Sequence, residues 1–156
     1  DRIVNAAAAF ARFGGPTIVV DLGTATKIEA ITSTGDYLGG VIAPGLGLTL
    51  DALASRGARL YAVELKRPAT AIGRHTTAAV QSGVVEGHLA SIEGMVQRVR
   101  AELGGAEHVV LTGGYSAGFA EVPSVFTEVV PTLTLDGLRM IFLRHRRGRT
   151  PQSPSV

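Results

Sequence analysis

The stretch Ile18-Val19-Val20-Asp21-Leu22-Gly23-Thr24-Ala25-Thr26 constrains this chain more than any other. Three consecutive aliphatic, mostly β-branched residues predict a strand buried on both faces. The run ends in a carboxylate, a glycine and two hydroxyls. Asp21 then stands at the carboxyl end of the strand, where open α/β sheets place their ligands. Gly23 permits a turn with positive φ, or a close backbone approach to an oxyanion. Thr24 and Thr26 can donate hydroxyl hydrogen bonds to phosphate oxygens. Asp21 repels a phosphate, so a cation between the two is the natural arrangement. A tight hairpin in which Asp21 and Thr24 satisfy backbone groups is the other reading of the same residues.

Composition narrows the remaining choices. A length of 156 residues, 46% of them hydrophobic, fits one globular domain with a real core. The 20 glycines cluster at turns without a period, which excludes a collagen-like chain. The absence of cysteine excludes disulfides and thiolate metal sites and fits a reducing, cytoplasmic setting. The four histidines (75, 88, 108 and 145) lack the spacing of zinc ligands. The net charge is only +2, and the basic excess sits in Arg144, Arg146, Arg147 and Arg149. The body is near neutral, so nucleic acid is not an implied partner. No apolar run reaches transmembrane length and no signal peptide is evident. The opening Asp1-Arg2-Ile3-Val4-Asn5-Ala6 reads as the middle of a longer chain.

Taken in order, residues 2–13 space their apolar side chains as a helix, with Asp1 as N-cap and Gly14-Gly15-Pro16 as its end. Strands are expected at 17–22, 27–33 and 37–43. The second carries Lys27 and Glu29 on one face and Ile28 and Ala30 on the other. Ser33-Thr34-Gly35-Asp36 is a hairpin turn, and Gly39-Gly40 predicts a bulge or a close backbone contact. A helix follows over 46–56, then an irregular stretch in which Val63-Glu64-Leu65 reads as a short strand. A long helix is predicted over 76–103, with Gly83, Gly87 and Gly94 permitting close packing or a kink. A strand at 108–112, a short helix after Ser116 and a strand at 125–130 precede a last helix. Leu135, Leu138, Ile141 and Phe142 mark that helix, and residues 147–156 read as a disordered polar tail. This order predicts an α/β fold with a mixed sheet flanked by helices.

Several short stretches together resemble the type III pantothenate kinases of the acetate-and-sugar-kinase, Hsc70 and actin superfamily. They are Asp1-Arg2-x-x-Asn5-Ala6, Val20-Asp21-x-Gly23-Thr24-Ala25-Thr26 and Tyr37-Leu38-Gly39-Gly40-x-Ile42-x-Pro44-Gly45-Leu46. In the same order follow Ile72-Gly73-Arg74-x-Thr76, Gln81-Ser82-Gly83, Thr112-Gly113-Gly114 and Leu133-Thr134-Leu135-x-Gly137-Leu138. The resemblance covers residues 1–146 and implies a ribonuclease H-like, actin/Hsc70-type ATPase domain. It further implies that this is the second of two similar halves, the first carrying an Asp-x-Gly-Asn-Thr phosphate loop.

The resemblance also carries roles. Asp1 matches a proposed general base, and Arg2 a residue that holds the pantothenate carboxylate. Thr76 matches a pantothenate-contacting threonine, and Asp21 the carboxylate used for potassium or ammonium. Gly23, Thr24, Gly113 and Gly114 fall where ATP, with Mg²⁺, is held. His75 stands where asparagine is common, and a packed or solvated histidine is the expectation for it. The implied reaction is ATP-dependent phosphorylation of pantothenate by a homodimer. A transcriptional accessory factor on the same fold is the alternative. Read without the resemblance, Asp1 and Thr76 are helix caps, Arg2 is a solvated charge, and Gly113-Gly114 is a plain turn.

Overall fold

The computed structural model describes residues 1–56, 63–119 and 125–148. Helix α1 (Arg2–Phe13) is capped by the Asp1 carboxylate, which accepts from the Arg2 N–H at 2.7 Å. Gly14, at φ 76°, ends it in a conformation that suits glycine. Strands β1 (Thr17–Leu22), β2 (Ala25–Ile31) and β3 (Tyr37–Pro44) then form a meander. Helices α2 (Leu46–Arg56) and α3 (Thr76–Glu102) follow. Strand β4 (His108–Thr112), a 3₁₀ turn at Ser116–Phe119, β5 (Glu128–Val129) and helix α4 (Leu133–Gly148) complete the described chain.

Among the described residues the five strands make one sheet in the order β3-β2-β1-β4-β5. Strand β1 runs antiparallel to β2 and parallel to β4, and β5 is parallel to β4. Because β3 is antiparallel to β2, only β2 opposes the rest. That order, with that one reversed strand, is the ribonuclease H-like arrangement. Every residue of β1 is buried, as its aliphatic run predicts.

Each face of the sheet carries its own core. Ile18, Val20, Leu22, Ile28, Val109 and Leu111 pack under α3 through Val84, Leu89, Ile92 and Val96. On the opposite face, Val19, Ile31 and Val110 pack under α1 and the start of α4 through Ala6, Ala9 and Leu133. The small side chains of α1 let it lie close to the sheet. Helix α4 in turn lies close to α1 at Gly137, where a Cβ would come within 2.6 Å of Val4 Cγ1 and the Val4 carbonyl oxygen.

Three expectations need correction. Val63-Glu64-Leu65 is not a strand; its backbone leans on α3, with the Glu64 carbonyl accepting from the Gln81 amide at 3.0 Å. Strand β5 is shorter than 125–130, because the Thr127 hydroxyl takes the place of a ladder carbonyl and accepts from the Val109 N–H at 2.9 Å. Gly83 and Gly87 admit no close neighbour, and a Cβ at either would meet nothing within 4 Å. Leu135, Leu138, Ile141 and Phe142 do lie on the expected last helix but are exposed, while Leu133 and Gly137 face the core. The predicted tail lies outside the described residues from 149 onward, and α4 itself continues through Gly148.

Candidate active site at the end of the central strands

Asp21 lies at the last turn of β1, on the α1 face, and is buried. A buried carboxylate needs donors, and two reach its Oδ2: the Lys27 ammonium at 3.1 Å and the Asn5 amide at 3.4 Å. Antiparallel pairing sets Lys27 directly opposite Asp21, and the alternation of β2 puts both on one face. The same ammonium binds Asp1 Oδ2. Asn5 turns its carbonyl oxygen the other way and accepts from the Thr134 hydroxyl at 2.7 Å. One polar chain, Asp1–Lys27–Asp21–Asn5–Thr134, thus ties α1, β1, β2 and α4 together. Asp1 is its accessible end, with half of its side chain exposed (52%). One of its oxygens caps α1, as the helix-cap reading has it, and the other meets Lys27.

Beside this chain Glu29 is 1% exposed, a position a carboxylate tolerates only when fully paired. Arg2 grips it with Nε at 2.7 Å and Nη2 at 3.0 Å, and the Tyr37 hydroxyl donates to it at 2.6 Å. The hydrogen bond to Glu29 holds the Arg2 guanidinium more firmly protonated than usual. Burial, and then the hydrogen bond to Glu29, push the Tyr37 phenol up to about 12. Glu29 occupies only one edge of the guanidinium, leaving Nη1 for another acceptor.

At the same end of the sheet three turns converge. Residues 23 and 24 form the tight β1–β2 hairpin, closed by the Gly23 N–H donating to the Ala25 carbonyl at 3.2 Å. Gly45 donates to the Thr24 carbonyl at 3.0 Å, and a Cβ there would come within 2.4 Å of the Gly23 and Thr24 carbonyl oxygens. Gly113 has φ 98°, and a Cβ would come within 2.5 Å of Asp21 Oδ1. The Tyr115 N–H donates to the Leu22 carbonyl at 3.1 Å, fastening the second turn to the first. Gly114 opens on free space and Thr24 is exposed, so backbone and hydroxyl are both available to a phosphate. Thr112, paired with Asp21 across β1 and β4, has a buried hydroxyl with no protein partner. On the α3 side, Thr26 and His88 Nε2 are 2.8 Å apart, and burial lowers the His88 pKa.

The structure therefore brings Asp1, Arg2, Asp21, Gly23 and Gly113 to one end of β1. It does not bring Thr76 there: this exposed residue opens α3, on the other side of the sheet. The cap of α3 is His75, whose Nδ1 accepts from the Ala78 N–H at 3.3 Å. The sequence motifs contain Asn5, Thr112 and Thr134 without giving them a role, and Lys27 and Glu29 lie outside those motifs. The alternation of β2 already paired Lys27 with Glu29, and the hairpin register would have set Lys27 against Asp21. Among the described residues no group of three histidine or acidic side chains could hold a metal ion. The glycine-lined turns fit a nucleotide phosphate. Asp21 Oδ2 already faces two N–H donors, so the free side-chain oxygens there are Asp21 Oδ1 and the Thr112 hydroxyl, too few to enclose a free monovalent cation.

The family model for type III pantothenate kinase matches residues 1–98. A type III pantothenate kinase of Roseiflexus castenholzii is 50% identical over 147 residues, which cover 94% of this chain and 58% of that protein. Another, of Moorella thermoacetica, is 47% identical over 145 residues, covering 93% and 57%. The chain thus spans a little over half the length of these curated relatives. A crystal structure described as a Baf family transcriptional activator from Campylobacter jejuni superposes with a TM-score of 0.65 at 24% identity, covering 93% of this chain and 65% of that one. The extent of the family match shows that the chain belongs to the type III pantothenate kinase family.

Proposed function

We propose that this chain forms the pantothenate-activating half of a cytoplasmic type III pantothenate kinase. The enzyme moves the γ-phosphoryl group of ATP to the pantothenate hydroxyl, giving 4′-phosphopantothenate for coenzyme A synthesis. The observation that carries the reading is Asp1: a half-exposed carboxylate fixed at the start of α1 and joined through Lys27 to Asp21, beside glycine-lined turns. When bound, ATP with Mg²⁺ supplies the phosphoryl group and neutralises much of its charge. Asp1 accepts the proton of the attacking hydroxyl. Arg2 offers its free edge to the pantothenate carboxylate while Glu29 holds the other edge in place. The turns at Gly23-Thr24 and Gly113-Gly114 receive the nucleotide phosphates. Thr76 joins the pantothenate site only if part of the protein outside this chain, or a second copy, closes over the α3 end. A homodimer is the expected assembly. The 156-residue chain by itself is expected to turn over no substrate, because half of the phosphate cradle lies elsewhere.

The test is ADP release by the native full-length protein with ATP, Mg²⁺ and pantothenate, for wild type and Asp1→Asn. General-base catalysis contributes about 10²–10⁴-fold, so the variant should lose at least about 100-fold in kcat while still binding ATP. A folded, ATP-binding protein without pantothenate-dependent release would point instead to the accessory-factor reading. The name of the Campylobacter protein invites that alternative, but a likeness at 24% identity carries the fold alone.

A further inference from the structure

We propose that Lys27 is a tethered monovalent cation: its ammonium fills the position beside Asp21 where the family resemblance puts potassium or ammonium, so this protein takes up no free ion there. The Lys27 Nζ is 3.1 Å from Asp21 Oδ2 and also binds Asp1, and the side chain is only 17% exposed. An alkylammonium carries the charge of potassium and donates three hydrogen bonds. A free cation would instead need a shell of oxygen lone pairs. Among the described side chains only Asp21 Oδ1 and the buried Thr112 hydroxyl are free to contribute there, too few for such a shell. Asn5 presents its NH₂ group to Asp21 and spends its carbonyl oxygen on Thr134. A second cation would also stand against Lys27 on the same carboxylate, and the two would repel. Strand pairing fixes Lys27 opposite Asp21, so the charge is delivered by the fold and needs no binding equilibrium. Its second bond, to Asp1, means that the same group also positions the proposed base.

The proposal rests on the kinase reading only for its consequence, a turnover that is indifferent to potassium; its test needs no turnover. Thermal midpoints of the native full-length protein would be compared in equal concentrations of potassium, ammonium, sodium and tetramethylammonium chloride. Wild type should show no preference among them. Lys27→Ala, which removes the ammonium and leaves room for an ion, should acquire stabilisation specific to potassium and ammonium. Adding Asp21→Asn should abolish that gain. A potassium-specific rise in wild type that Asp21→Asn removes would overturn the proposal, as would a folded Lys27→Ala indifferent to all four salts. Should Lys27→Ala not fold, thallium-205 NMR of wild type decides: no bound signal is expected, and one lost on Asp21→Asn would overturn the assignment. If the kinase reading failed, pantothenate-dependent release would be absent while these outcomes stood unchanged.

Discussion

Glu29 shows how the environment of a single residue sets its neighbours. A carboxylate almost fully removed from water holds its charge because Arg2 and Tyr37 both donate to it. The effect is measurable at Tyr37, whose phenol moves from 10.0 to about 12, chiefly through burial and then through the bond to Glu29. The folded state thus prefers the protonated phenol. Its stabilising contribution is complete below pH 10 and is lost as pH rises through about 12. Tyrosinate absorbance during an alkaline titration should show a late component from Tyr37, and Glu29→Gln should bring it earlier. Unchanged titration in that variant would mean that burial alone sets the shift. Asp1 shows the complementary case, a helix cap that is also the proposed base. From sequence alone the cap and the base compete as explanations; in the structure one oxygen caps α1 and the other is held by Lys27.

At the scale of elements, helix contacts turn on glycine. In isolation alanine is favoured over glycine within a helix by about 1 kcal/mol. At Gly137 that gain is opposed by a Cβ 2.6 Å from the Val4 backbone oxygen, and overpacking of this kind costs about 1–3 kcal/mol. Overpacking should win, because a backbone oxygen cannot step aside as a rotamer can. Gly137→Ala should therefore lower the urea midpoint, whereas Gly83→Ala, with nothing within 4 Å, should raise stability by about 0.5–1 kcal/mol. Equal effects at the two sites would show that propensity alone governs both. The sequence could not separate these glycines, because both sit inside helical patterns and only the partner helix distinguishes them. What it made legible was order and type: each major helix and strand follows from periodicity and its flanking glycine or proline. The end of β5 was illegible because a threonine side chain, rather than backbone, supplies the bond there. The convergence of Asp1, Asp21 and Gly113 became legible through motif order, whereas Lys27 needed the register of a hairpin.

At the scale of the whole molecule, apolar side chains lie where no described residue covers them. Leu135, Leu138, Ile141, Phe142 and Leu143 of α4 are between 41% and 66% exposed, and Ile3 of α1 is 58% exposed. Of the other helices, α2 shows Leu48 and Leu53 at its surface, whereas α3 turns its large apolar residues inward. A cluster such as that on α4 favours association. The chain of 156 residues, produced by itself, should self-associate with rising concentration in sedimentation experiments. Leu138→Glu combined with Phe142→Glu should suppress this while changing stability by no more than about 0.5 kcal/mol, since neither side chain is in the core. A large loss of stability would show that the α4 surface is part of the fold itself.

The bond between Asn5 and Thr134 joins residues 129 positions apart. Closing so long a loop costs entropy that only a mostly formed sheet can offset, which makes this contact a late event in folding. During synthesis the carbonyl oxygen of the Asn5 amide that steadies Asp21 lacks its Thr134 donor until α4 has emerged from the ribosome. The polar chain at Asp1 is therefore completed last, and a nascent or truncated polypeptide holds the parts of the candidate site without their final alignment.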